Sequence, residues 1–114
     1  MLPRSWRLHT AYDFRVVRTR GRRWQSPSFL AFILPSAQLL HPRVGMIVSG
    51  KIGSAVCRKR ATRVLRASFA QVQADFPRKL DVVLIARPYI KHKTTPQIAR
   101  ELQQLGRSLR QNNA

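Results

Sequence analysis

Acidic residues are nearly missing from this chain. Asp13, Asp75, Asp81 and Glu101 stand against 22 lysines and arginines, a net charge of +18 over 114 residues. No two of these acids share helical or strand spacing, so the sequence supplies no set of carboxylates converging on a pair of metal ions. Asp13 is expected to start a helix and Asp81 to mark a strand edge. The single cysteine, Cys57, excludes an internal disulfide and a zinc site made of cysteine pairs. It reads as a small apolar residue on a buried helix face. His9, His41 and His92 lie in separate segments and read as solvated loop residues rather than an acid–base pair. The longest apolar run, Phe29 to Leu34, is far too short to span a bilayer. The first seven residues lack the apolar stretch of a signal peptide. A reduced, cytoplasmic setting is the expectation. There is no phosphate-binding Walker loop, dinucleotide fingerprint or nucleophile elbow, and no internal repeat.

What the chain has in abundance is positive charge spread over its length. Seven basic residues precede Gln25, six fall between Lys51 and Arg66, and six follow from Arg87 onward. The charge therefore decorates the folded unit, as in a nucleic-acid binder, instead of forming a detachable tail. A hydrophobic fraction of 44% is ordinary for a globular chain and supports one small domain, residues 1–114.

The densest segment is Lys51-Ile-Gly-Ser-Ala-Val-Cys-Arg-Lys-Arg-Ala-Thr-Arg-Val-Leu-Arg66. Advancing about 100° per residue, Arg58, Lys59, Arg60, Arg63 and Arg66 gather on one side of a helix. Cys57, Ala61, Val64, Leu65, Phe69 and Val72 gather on the other. One side can pack on a core while the other presents a cationic strip, which repels itself unless a polyanion covers it. Gly50 and Gly53 sit in the turn before this helix and could offer backbone N–H groups to a phosphate.

Around it the pattern is mixed. Thr10-Ala-Tyr-Asp13 resembles a capping box and opens a short helix that stops at Gly21. Ser28–Leu34 reads as a strand ended by Pro35, and Trp24–Ser28 is ambiguous. A loop follows to Pro42, then a strand over Arg43–Ser49, then the basic helix from about Ser54 to Gln73. Asp81–Ala86 has the continuous apolar character of a strand buried on both faces. Thr95-Pro96 caps a last helix lined by Ile98, Leu102, Leu105 and Leu109, and about 111–114 is expected to fray. The order predicts an α+β sandwich, a sheet covered by helices on one face. Phe29 and Phe32, three apart on one strand, point to opposite faces. Phe14 sits among Arg15, Arg18 and Arg20, where a ring either joins the core or stacks on an unpaired base.

These residues resemble the protein subunit of bacterial ribonuclease P over almost the whole length. The resemblance rests on Arg7-Leu8, Asp13-Phe14 with Gly21, Arg43-Val-Gly-Met-Ile-Val-Ser49, Lys51-Ile-Gly-Ser-Ala-Val56, the basic helix, and Asp81-Val-Val-Leu-Ile-Ala-Arg-Pro88. In the helix, Arg58, Arg60, Arg63 and Arg66 match the family, while Lys59 stands at its asparagine and Thr62 at a lysine. The resemblance implies a compact α/β sandwich like some ribosomal proteins, with a left-handed crossover around the basic helix. It implies partnership with a catalytic RNA that, with Mg²⁺ held mainly by RNA and substrate, removes the 5′ leader of precursor tRNA. Lys51, Arg58, Lys59, Arg60, Arg63 and Arg66 would contact RNA, with Arg7 as a further contact. Phe14, Arg18, Phe32 and Arg87 would line a cleft for the single-stranded leader. No catalytic residue is expected on the protein. The alternative is a small ribosomal or ribosome-associated RNA-binding protein.

Overall fold

A computed structural model describes residues 4–36 and 41–112. Three helices, α1 (Ala11–Arg20), α2 (Ala55–Val72) and α3 (Thr95–Asn112), accompany four strands: β1 (Arg22–Gln25), β2 (Phe29–Pro35), β3 (Arg43–Ile47) and β4 (Leu80–Ala86). The strand order is β1-β2-β4-β3. β2 pairs antiparallel with both β1 and β4, whereas β3 runs parallel to β4. A parallel pair needs a crossover connection, and α2 is part of that connection.

Strand alternation divides the sheet into two faces. Phe29, Ala31 and Ile33 of β2, Val44 of β3, and Val82, Leu84 and Ala86 of β4 join the main core. Ala61, Leu65, Phe69 and Val72 of α2 and Ile98, Leu102, Leu105 and Leu109 of α3 close over them. β4 lies between β2 and β3, with every residue buried except the half-buried Ile85, as its unbroken apolar run predicts. The other face is not bare. Leu8, Val17 and Val83 form a smaller cluster there, flanked by Phe14, Phe32, Leu34, Ile47 and Ile85. The helices therefore occupy both faces, α2 and α3 on one and α1 on the other. The low apolar content of α1 hid this, since only Val17 of that helix is fully buried.

The caps explain where the helices begin. Thr10 Oγ1 accepts from the Asp13 amide at 3.0 Å and Ser54 Oγ from the Cys57 amide at 3.3 Å. The last helix is capped one residue earlier than Thr95. The Thr94 amide donates to Gln97 Oε1 at 2.9 Å and the Gln97 amide points back at Thr94 Oγ1, a reciprocal capping box. The helix runs on through Gln111 and Asn112; residues 113 and 114, also expected to fray, lie outside the described residues. Gly21 ends α1 with extended backbone, its amide on the Val17 carbonyl. A side chain there would overlap that oxygen and crowd Ile33 of the sheet.

Two strand details depart from the sequence reading. β1 is a separate edge strand, hairpin-paired to β2; Arg-Arg-Trp-Gln has no apolar alternation to reveal it. Pro35 is the last residue of β2 rather than its terminator, paired with Leu80. The expected loop to Pro42 falls partly on residues outside the described ones.

Candidate nucleic-acid interface

Asp75, Asp81 and Glu101 are each hydrogen-bonded within the fold. Asp81, near the start of β4 and buried, accepts from Arg43 Nε at 2.8 Å and from its Nη2 at 2.9 Å. These two residues are register partners across β3 and β4. The hydrogen bond to Asp81 holds the Arg43 guanidinium above its ordinary pKa. Glu101 of α3 accepts from the Ser28 amide at 3.1 Å and from its hydroxyl at 2.6 Å, tying α3 to the start of β2. Asp75 accepts from Gln103, and Asp13 lies in the first turn of α1. Among the described residues no three His, Cys, Asp or Glu side chains gather as a metal site. No described helix is long and apolar enough to cross a membrane.

The cationic strip of α2 is directed away from the core. Arg58, Lys59, Arg60, Arg63 and Arg66 are exposed, while Ala61, Leu65, Phe69 and Val72 are buried. Ser68 fixes the helix laterally: its hydroxyl donates to Val64 O at 2.6 Å and lies 3.2 Å from Thr95 O of α3. Of the strip, Arg60 is partly engaged, donating to the Lys93 carbonyl at 3.0 Å. That bond brings a second basic segment, the 3-10 turn Pro88–His92, against α2. Lys51 is exposed in the short turn before the helix. The amides of Lys51, Ile52 and Gly53 all donate inside that turn, to Ser49 Oγ, Ser49 O and Gly50 O. They are thus not directed at a phosphate. Gly53 has φ 133°, a value only glycine adopts readily. Cys57, half-buried, has its thiol pulled below its ordinary pKa by a hydrogen bond from Ser54.

The opposite side of the sheet carries a groove of about 780 Å³, lined by Ala11, Phe14, Arg15, Arg18 and Thr19 of α1 with Phe32, Met46 and Ile47. Phe14, Arg18 and Phe32 are thus brought together. Phe14 lies between core and groove: its half-buried ring lies against Gly45, close enough that a methyl there would overlap it, and also borders the groove. Arg87 lies elsewhere. It borders a second hollow with Gln25, Ser26, Pro27, Pro88 and Tyr89 and donates to Ser26 O at 3.2 Å. Arg7 is half-buried and forms a bridge with Val44 of β3.

Sequence reasoning overlooked Gly45, Tyr89 and Lys93. Gly45 was legible only as part of a strand. Tyr89 and Lys93 carried a signal, an aromatic among cations in Arg87-Pro-Tyr-Ile-Lys-His-Lys93, that periodicity does not register.

A sequence model of the family described as Ribonuclease P matches residues 2–110. The "Ribonuclease P protein component" of Desulfovibrio desulfuricans is 38% identical over 90 residues, covering 78% of this chain and 69% of that relative. The protein of the same name from Brevibacillus brevis is 35% identical over 99 residues, covering 87% and 79%. A solved structure of a Staphylococcus aureus RNase P protein mutant superposes with TM-score 0.78 at 28% identity, covering 88% of this chain and 84% of that one. The RNase P protein from Thermotoga maritima, 23% identical, shares the fold with TM-score 0.77, covering 87% and 93%.

Proposed function

The chain belongs to the ribonuclease P protein component family, and from that premise we propose that it uses two surfaces for two RNAs. It works as a subunit of a ribonucleoprotein tRNA-processing endoribonuclease. The α2 strip faces the catalytic RNA, and the Phe14–Phe32 groove holds the single-stranded leader of precursor tRNA. The observation that carries this reading is the arrangement of the two surfaces. α2 packs on one face of the sheet and the groove floor lies on the other, so one duplex cannot occupy both. Each surface suits its partner. The strip offers point charges for a phosphate backbone, which position RNA without reading bases. The groove offers half-buried rings beside Arg15 and Arg18, the combination that stacks and tracks an unpaired strand.

Hydrolysis is assigned to the RNA partner. Three of the four carboxylates are hydrogen-bonded within the fold, and the described residues do not fit a protein-held Mg²⁺ site. In this reading Mg²⁺ would be held mainly by RNA and substrate, where it would activate water for phosphodiester cleavage. The protein offsets phosphate repulsion between two polyanions and holds the leader extended.

Reconstitution tests the proposal. Protein alone is expected to leave precursor tRNA intact in Mg²⁺, and protein with a ribonuclease P RNA to release the leader. In that holoenzyme, Phe14→Ala is expected to weaken leader-bearing substrate about tenfold, within the ~1–3 kcal/mol of one stacked base. Mature tRNA should bind as before. Cleavage by RNA-free protein, or equal loss of both tRNAs, would refute the assignment.

A further inference from the structure

We propose that the hollow beside Tyr89 is a second base-stacking subsite, which takes a leader nucleotide upstream of those in the Phe14–Phe32 groove. The inference rests on the reading that the groove carries the leader. Tyr89 is one of three large apolar side chains exposed among the described residues, at 54%. It is held on a fixed turn: Ile90 beside it is fully buried, and its amide donates to Arg87 O at 2.9 Å. Arg60 of α2 secures the turn's far end through Lys93 O. The Lys93 ammonium lies 5.0 Å from the centre of the ring, and the ring borders a hollow of about 530 Å³. An exposed, positioned aromatic flanked by cations loses little conformational freedom when a base stacks on it.

The hollow is separate from the groove but lies along the same strands. By strand alternation Phe32, Leu30 and Ile85 lie on the α1 side of the sheet. Arg87 extends β4 with φ −105° and ψ 153°, so it falls on the same side as Ile85. Gln25, which borders the hollow, is the register partner of Leu30. Arg87 lies four residues beyond Val83, the partner of Phe32, about 13 Å at ~3.3 Å per residue. An extended strand leaving the groove over the half-buried Leu30 and Ile85 therefore reaches Tyr89 within a few nucleotides. Arg87 donates one N–H to Ser26 O and retains others for a phosphate. No carboxylate lines the hollow, which favours a polyanion over an ordinary protein segment.

The test uses holoenzyme with Tyr89→Ala and Tyr89→Phe, and precursor tRNAs with two leader lengths. One leader has about ten nucleotides, within the ~4–16 that strand-tracking domains cover, and one is cut to about two. Tyr89→Ala is expected to weaken binding of the long leader about tenfold and to leave the short leader, mature tRNA and the melting temperature unchanged. Tyr89→Phe should keep wild-type affinity. Equal loss for both lengths, loss of assembly with the catalytic RNA, or no loss at all would overturn the subsite. If wild-type protein fails to distinguish leader-bearing from mature tRNA, the groove reading fails as well. If Phe14→Ala acts and Tyr89→Ala does not, only the second subsite is lost.

Discussion

Gly45 decides where the Phe14 ring can lie. Its missing side chain leaves room on β3 for the Phe14 ring, and a methyl there would overlap Cε1 and Cζ of that ring while crowding Leu8. The obstacle is the end of a side chain bordering open groove, so the ring can swing outward without disturbing the sheet. Gly45→Ala is therefore expected to lower stability only slightly, below the ~1–3 kcal/mol of an overpacked core. On the proposed leader site, leader-bearing substrate should bind several-fold more weakly, because the displaced ring would fill the space a base takes. Thermal melts and binding of tRNA with and without leader would separate these effects; a large fall in melting temperature would show that the ring has nowhere to go. This contact was invisible in the sequence, where Gly45 is one residue of a strand and Phe14 one of a short helix. The opposed faces of Phe29 and Phe32, by contrast, follow from their spacing alone, and Phe29 is indeed buried while Phe32 is half-buried.

Elements with strong periodicity or strong punctuation were legible. The two sides of α2 and the apolar line of α3 lie as their spacing predicts, because a helix with one apolar stripe has one way to bury it. β1 was not legible, since its pairing is set by β2 and its exposed arginines carry no pattern. α1 was legible as a helix but not in its placement, because sequence order does not say which face a weakly apolar helix covers. The Asp81–Arg43 pair joins residues 38 apart and has no local signature. For α2 the expectation is direct. Arg58→Glu with Arg63→Glu should weaken binding to the catalytic RNA strongly and leave the circular-dichroism spectrum intact, as both side chains are exposed. Unchanged affinity near 0.15 M salt, where exposed charges still act over about 8 Å, would remove the strip from the interface.

Across the whole molecule the balance is +18, with at least three of the four acids tied into hydrogen bonds. Self-repulsion of that size opposes compaction, so ligands that bind only the folded state should stabilise it. Sulfate or phosphate is expected to raise the melting temperature more than chloride at equal ionic strength. RNA affinity should fall with salt at a log–log slope of about −0.7 to −0.9 per phosphate contacted; a flat salt response would mean the charge is not at the interface. The two borders of the sheet carry a different consequence. β1 leaves an edge studded with Arg22 and Arg23, whereas on β3 the N-terminal segment lies alongside, through the Arg7–Val44 bridge and the Leu8 amide on Val44 O at 3.0 Å. Unpaired strand edges invite aggregation. One border is thus guarded by like-charge repulsion between copies and the other by a strip of the chain's own backbone. Polyanions weaken the first guard by neutralising it and leave the second untouched, so crowding on RNA would expose copies to clumping along β1 before β3.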